Sequence, residues 1–226
     1  MKKLLVLMIA LLAGSVLSAQ ESDNAVFKKS FLAFHTGPSF PIGNFASNNP
    51  GNEEAGMAKT GFTIGMNYGY RFNSNFGLEA AAFYNQYGSK KTVMTFDLGD
   101  GTESLELSLD KWHLYGLTIG PSMEFSPAKN LSAGLHVLGG VANVRLPAFY
   151  LDGEDMTKAD WGIGPVVQAG INLKMDAGKQ VFLFVNGDFQ YMRPQFNILD
   201  FWTDDMEKGY QKIYALNATA GIGIRF

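Results

Sequence analysis

The stretch QKIYALNATAGIGIRF, Gln211 to Phe226, keeps a strict two-residue rhythm. Counting back from the end, Phe226, Ile224, Ile222, Ala220, Ala218, Leu216 and Tyr214 fall on one side. Arg225, Gly223, Gly221, Thr219, Asn217, Ala215 and Ile213 fall on the other. The first set is apolar and ends in an aromatic ring. The second is small or polar apart from Ala215 and Ile213. Such alternation marks a β-strand whose two faces meet different solvents. It would suit a water-soluble sheet, but a strand that closes on a terminal Phe fits a membrane barrel better, with lipid outside and a polar lumen inside.

The other end of the chain points to export. Lys2 and Lys3 precede an apolar run from Leu4 to Leu17, and Ser18-Ala19 supplies small residues for cleavage after Ala19. The expected domains are therefore a signal peptide over 1–19 and a barrel over 20–226. The apolar run is shorter than the roughly 20 residues of a spanning helix, and no later stretch approaches it. A membrane passage must then be made by strands, because only helices and closed barrels satisfy their backbone in lipid. The chain has 18 Lys+Arg and 21 Asp+Glu; without Lys2 and Lys3 the net charge is about −5. That balance argues against nucleic acid. With no cysteine there is no disulfide, thiolate metal site or lipid-modified cysteine. The 26 glycines and 30 aromatic residues, without a long apolar run, fit alternating barrel strands.

Working back from the C terminus, seven more strands are expected. A first strand at Phe31 to Ser39 is mixed on both faces. Thr60 to Phe72 sends Phe62, Ile64, Met66, Tyr68, Tyr70 and Phe72 outward, then turns at Asn73-Ser74-Asn75. A third strand from Phe76 puts Leu78, Ala80, Ala82 and Tyr84 out. A fourth, ending at Phe125, puts Tyr115, Leu117 and Ile119 out. Leu131 to Arg145, Trp161 to Met175 and Gln180 to Tyr191 alternate in the same way. Turns at 73–75, 127–130 and 176–179 are short. The connections at 40–59, 147–160 and 192–210, rich in Asn, Gly, Pro or Asp, read as long loops. Short turns on one side and long loops on the other imply periplasmic termini and an exposed loop end. Two outward aromatic belts follow: Tyr84, Tyr115, Trp161, Tyr191 and Tyr214 near the loops, and Phe72, Phe76, Phe125 and Phe226 near the turns.

One connection departs from the pattern. Between Gly88 and Asp110 the chain reads SKKTVMTFDLGDGTESLELSL. Asp100-Gly101 signals a two-residue hairpin turn. Centring the turn there sets Phe96 against Leu105, Met94 against Leu107 and Phe76 against Phe125. A strand from Phe76 to Leu98 spans about 75 Å and, tilted by about 40°, rises nearly 60 Å, well past an apolar band about 25 Å tall. The hairpin at 88–110 is therefore expected to stand clear of the bilayer. Met94, Phe96, Leu98, Leu105, Leu107 and Leu109 share one parity and form a candidate partner surface. The competing expectation, of equal weight, is that this stripe packs on the chain's own loops, for which FNILDFW at 196–202 is the nominated segment. Among partners, outer-membrane lipid and lipopolysaccharide are expected, together with a protein at the hairpin. Its free edge could also receive a partner strand.

The inward charges are Arg71, Glu79, Glu124, Lys174, Asp188 and Arg225. An eight-stranded barrel is just wide enough for its side chains to fill. These opposite charges are expected to neutralise one another and close the lumen. A proton or ion path is the lesser alternative. His35, His113 and His136 are the only histidines, and no Ser-His-acid pattern surrounds them. Asp97 to Gly101 lacks the alternating oxygen ligands of a calcium loop. No catalytic, metal or cofactor site is assigned.

The closing Phe226, with apolar residues two, four and six before it, resembles the C-terminal signature of bacterial outer-membrane β-barrels. Together with the strand pattern and loop asymmetry, residues 30–226 resemble the small barrel family of OmpX, the OmpA membrane domain and PorT-like proteins. The resemblance implies an all-β, eight-stranded, antiparallel up-and-down transmembrane barrel in the outer membrane of a Gram-negative-type bacterium. It implies a surface interaction role, since the 88–110 hairpin is similar to the protruding ribbon of OmpX-like proteins. Two further readings stay open: a narrow conduit for ions or small apolar solutes, and an outer-membrane lipid-modifying enzyme. No peptidoglycan-binding segment follows Phe226, so an anchoring role is not implied.

Overall fold

The computed structural model describes residues 29–49, 51–52, 54–97, 102–151, 154–157, 160–199 and 206–226. The expected signal peptide lies outside them, as do Leu98 and the Asp100-Gly101 turn. In chain order the described strands are β1 (Ser30–Ile42), β2 (Ala58–Arg71), β3 (Phe76–Ser89), β4 (Thr92–Asp97), β5 (Thr102–Leu109), β6 (Trp112–Ala128) and β7 (Leu131–Leu146). Then come β8 (Phe149–Leu151), β9 (Glu154–Thr157), β10 (Asp160–Asp176), β11 (Val181–Met192), β12 (Gln195–Leu199), β13 (Met206–Tyr210) and β14 (Ile213–Arg225).

Eight of these close a barrel. The sheet runs β11-β14-β1-β2-β3-β6-β7-β10, and β10 pairs back onto β11. All its pairings are antiparallel. Closure leaves the barrel sheet without an open edge between β10 and β11. The short turns are chemically specified. Asn73 Oδ1 accepts from the backbone N–H of Asn75 at 2.9 Å and of Phe76 at 2.8 Å, an Asx turn that reverses the chain.

The wall has two faces. Leu117, Ile119, Val141, Ile163, Ile171, Leu173, Val185 and Ile222 are all exposed. Both aromatic belts point outward; Tyr115 meets Trp161 edge-on at 5.6 Å, and Tyr191 lies 4.9 Å from Tyr214. The facing of β1, open in the sequence, is settled. Phe31, Ala33, His35 and Ser39 are buried inward, whereas Phe34 and Phe40 face out.

Glycines make room inside. A Cβ on Gly69 would lie 2.0 Å from the Phe31 ring, and one on Gly65 2.4 Å from His35 Nε2. A Cβ on Gly223 would lie 2.2 Å from the Phe182 ring. Large inward side chains thus lie across glycines of the neighbouring strand, so the narrow barrel fills to its wall.

The loop end differs from the expectation. The 40–59 segment is not plain loop: β1 runs on to Ile42, and a 3-10 helix follows at Gly43–Ala46. The 147–160 and 192–210 segments hold β8–β9 and β12–β13. β12 extends the barrel sheet from β10 at Ile163↔Gln195. The hairpin register also shifts. Phe76 pairs with Met123 rather than Phe125, and Met94 with Leu105 rather than Leu107. Phe96 faces Glu103. Asp97↔Thr102 is the last described pair, and residues 98–101 lie outside the described residues. The displacement is by two residues, so parity survives.

The hairpin is not a lone ribbon. β5 pairs with β8 through Leu107↔Leu151, Ser108↔Tyr150 and Leu109↔Phe149. A second sheet forms in the order β4-β5-β8-β9. The described strands that join it in one sheet are β8 and β9, whereas the nominated 196–202 segment lies only partly within the described residues. Phe196 belongs to β12, and Phe201 and Trp202 lie outside the described residues.

Candidate functional site

The lumen is built in three layers. At the turn end Glu124, from β6, collects cations from three other strands. Arg71 and Lys174 pair with its Oε2, Lys174 at 2.8 Å, and Arg225 lies 3.8 Å from Oε1. Arg225 also pairs with Asp176 at the end of β10. The cations lie against rings as well: Lys174 Nζ sits 4.3 Å from the Phe31 centroid, and the Arg225 guanidinium 4.6 Å from that of Phe182. One carboxylate among three cations compensates charges that would be costly to bury alone.

The middle layer is polar. Asn67 donates to Glu79 Oε1 at 2.6 Å and accepts from His35 Nε2 at 3.1 Å. His136 Nε2 lies 2.8 Å from Asp188 Oδ1, and Asn186 donates to the same carboxylate. Asn85 donates to Gln190 at 2.7 Å. The His136–Asp188 pair resembles a base with its orienting acid. Both side chains are 1% exposed, so the pair faces packed protein. The lumen cavities beside Phe31 measure about 10 Å³ each, room for about one water.

The top layer was not foreseen. Phe45, on the 3-10 helix, is fully buried in the barrel mouth. Its ring meets Tyr87 edge-on at 5.3 Å and Trp112 at 5.2 Å. Leu114, Val144, Val166, Met192, Phe196 and Ile213 complete an apolar cluster around them. The segment carrying Phe45 is tied down on several sides. Trp112 Nε1 donates to the Gly56 carbonyl at 2.9 Å, and Lys90 donates to the Ala46 carbonyl. A Cβ on Gly56 would lie 2.5 Å from the Phe45 ring, so the chain passes too close for any larger residue. Glu54 accepts from Asn44 at 2.7 Å and pairs with Lys212 at 2.6 Å. The Lys212 hydrogen bond, followed by that from Asn44, holds the Glu54 carboxyl below the usual glutamate range. The same hydrogen bond holds Lys212 above the usual lysine range.

Of the nominated residues, Arg71, Glu124, Lys174 and Arg225 meet in one cluster. Glu79 and Asp188 belong to the middle layer, each on a separate hydrogen-bonded group. In the partner stripe, Met94, Phe96, Leu105, Leu107 and Leu109 lie on β4 and β5, whereas Leu98 lies outside the described residues. No cluster of three metal-binding side chains occurs among the described residues. Sequence reasoning missed the Phe45 plug because FPIGNF carries no period, and a ring aimed into a barrel mouth leaves no local mark.

No protein-family model matches the chain, and no curated protein matches it. Solved structures do. Neisserial surface protein A (NspA) is 16% identical, with 87% of this chain and 97% of that one covered and a TM-score of 0.49. Ail of Yersinia pestis, in complex with the heparin analogue sucrose octasulfate, is 14% identical over 88% and 99%, at 0.45. The outer membrane protease OmpT of Escherichia coli is 9% identical over 92% and 100%, at 0.48. Like the small outer-membrane barrels, the chain folds as a closed antiparallel up-and-down barrel of eight strands.

Proposed function

We propose that this chain is an integral outer-membrane barrel of a Gram-negative-type bacterium, with periplasmic termini. It presents its loop end as a binding surface and keeps its lumen shut. The apolar exterior between two aromatic belts supports the membrane placement. The observation that carries the binding role is the second sheet. Segments that could be short connections are instead built into β4-β5-β8-β9 beyond the barrel. Its edge strand β4 has one neighbour among the described residues, and Thr92 to Phe96 carries no charge or proline. By contrast, β9 opens with Glu154-Asp155, and charge is a common protection for a sheet edge. An edge whose only charge is the terminal Asp97 suits an extended segment of a partner protein.

The shut lumen supports the same reading over a conduit: the Phe45 cluster, the polar layer and the Glu124 cluster occupy its length. A catalytic role finds no support in the His136–Asp188 pair, which has no open approach.

Photo-crosslinking from position 96 in intact cells tests the proposal. A discrete adduct with a separate protein or with lipopolysaccharide is expected. Crosslinks confined to the chain's own 149–157 segment would make the sheet internal packing and end the reading.

A further inference from the structure

On the eight barrel strands the outward positions carry apolar, aromatic, small or neutral polar side chains and, among the described residues, two charges, both at the loop end: Lys59, exposed on β2, and Arg145 on β7. Arg145 lies between His113 of β6 and Trp161 of β10 in one cross-strand row that continues to Gln86 of β3. One rung closer to the apolar band lie Tyr84, Tyr115 and Asn143. Below them Leu117 and Val141 are fully lipid-type. The row therefore marks the level where hydrocarbon gives way to headgroups. No ion pair of Arg145 occurs among the described residues, and a lone cation beside an apolar wall calls for an anion.

The neighbours are arranged as donors. Tyr84 OH lies 2.7 Å from His113 Nδ1. That bond orients the His113 ring within the row, and Tyr84 OH also donates to Gln86 Oε1 at 3.5 Å. Asn143 donates to Tyr115 OH at 3.0 Å, which leaves that phenol's own hydrogen to donate. Directly opposed residues on paired strands lie about 5 Å apart, so the Arg145 fork and His113 can reach one tetrahedral anion. Lys111, exposed just before β6, adds charge. The acid beside them, Asp110, accepts from the Lys111 backbone N–H at 2.8 Å.

We infer that Arg145, His113 and Tyr115 form a binding site for the phosphate group of a membrane lipid at the loop-end interface, with Trp161 as its aromatic wall. Arg recognises phosphate bidentately, and the aromatic residues hold the level. The inference rests on the membrane placement proposed above but not on the second sheet.

The test uses the full chain in nanodiscs of phosphatidylcholine doped with phosphatidic acid, with retained lipid counted by native mass spectrometry. The wild type is expected to retain phosphatidic acid preferentially. Arg145→Gln should lower that retention about tenfold, the loss of one charge-assisted contact. Arg145→Lys should recover part of it. Lys208→Gln, on β13, should change nothing. Equal retention by Arg145→Gln and wild type would overturn the site, as would an equal loss in Lys208→Gln, which would mean unspecific charge. Inorganic phosphate that displaces phosphatidic acid completely would make the ligand a free anion and overturn the lipid assignment; persistence of the lipid supports it. Failure of the chain to retain either lipid would instead count against the membrane placement, which separates the two readings.

Discussion

At the scale of single residues, the molecule depends on a few side chains placed where the barrel could otherwise stay open. Phe45 is the clearest. It is fully buried between Tyr87 and Trp112 although the chain around it is irregular. Phe45→Ala should destabilise the mouth by about 3 kcal/mol, the low end for a buried ring, because the rigid wall limits collapse. Red-shifted Trp112 emission, together with an earlier midpoint in urea unfolding from liposomes, is the expected readout. Glu124 is the second. Replacing it with Gln leaves Arg71 and Lys174 inside the barrel without their shared carboxylate. A loss of about 3 kcal/mol follows for a buried pair broken on one side, read by the same unfolding assay. Glu124 was legible in the sequence because it falls on the inward parity of an alternating strand. Phe45 was not, because nothing periodic surrounds it.

At the scale of elements, strands were legible and their connections were not. Alternation fixes which residues face outward, and it survives a register slip of two, so outward positions such as Tyr84, Leu117 and Ile171 could be assigned strand by strand. The register itself depends on the turn. Asp100-Gly101 suggested a register centred on those two residues, whereas the described pairs are displaced from it by two. A pair of cysteines separates the two registers, and the chain's lack of native cysteine keeps the background clean. Met94→Cys with Leu105→Cys should crosslink on mild oxidation, and Phe96→Cys with Leu105→Cys should not. A reversal of that order would restore the register centred on Asp100-Gly101. The partner of the β4–β5 hairpin was illegible for another reason: β8 is three residues long, and its pairing with β5 joins segments some forty residues apart. The mouth segment has its own chemistry. The lowered Glu54 pKa means its contribution is present above the usual glutamate range and lost as pH falls through the depressed value. The raised Lys212 pKa means its contribution is present below the usual lysine range and lost as pH rises through the elevated value. The latch therefore holds at neutral pH and loosens in acid. Amide exchange at Gly56, whose N–H donates to the Asn44 carbonyl at 3.0 Å, should lose protection in acid beyond the intrinsic rate change. Lys212→Gln should be unprotected to the same degree at both pH values. Because both groups are exposed, the change should be confined to this segment and leave global stability alone.

At the scale of the whole molecule, closure of the sheet and closure of the lumen are separate achievements with separate causes. The sheet closes because β1 finds β14, which the alternation of 211–226 already implied. The lumen closes because inward glycines such as Gly65, Gly69 and Gly223 let His35, Phe31 and Phe182 lie flat across their neighbours. Those glycines read in sequence only as small residues on the polar face; the rings that need them sit on other strands. The seal is also redundant. Apolar packing closes the loop end, and an ion cluster with rings closes the turn end, so removing one should leave the other. In planar bilayers the wild-type chain should therefore show no steady conductance, and Phe45→Ala should stay silent as well, since Glu124, Arg71, Lys174 and Arg225 still span the far end. A conducting Phe45→Ala would mean that the apolar plug alone holds the barrel shut. The polar layers beneath it would then be a hydrated path, and the reading of a closed surface barrel would give way to that of a gated conduit.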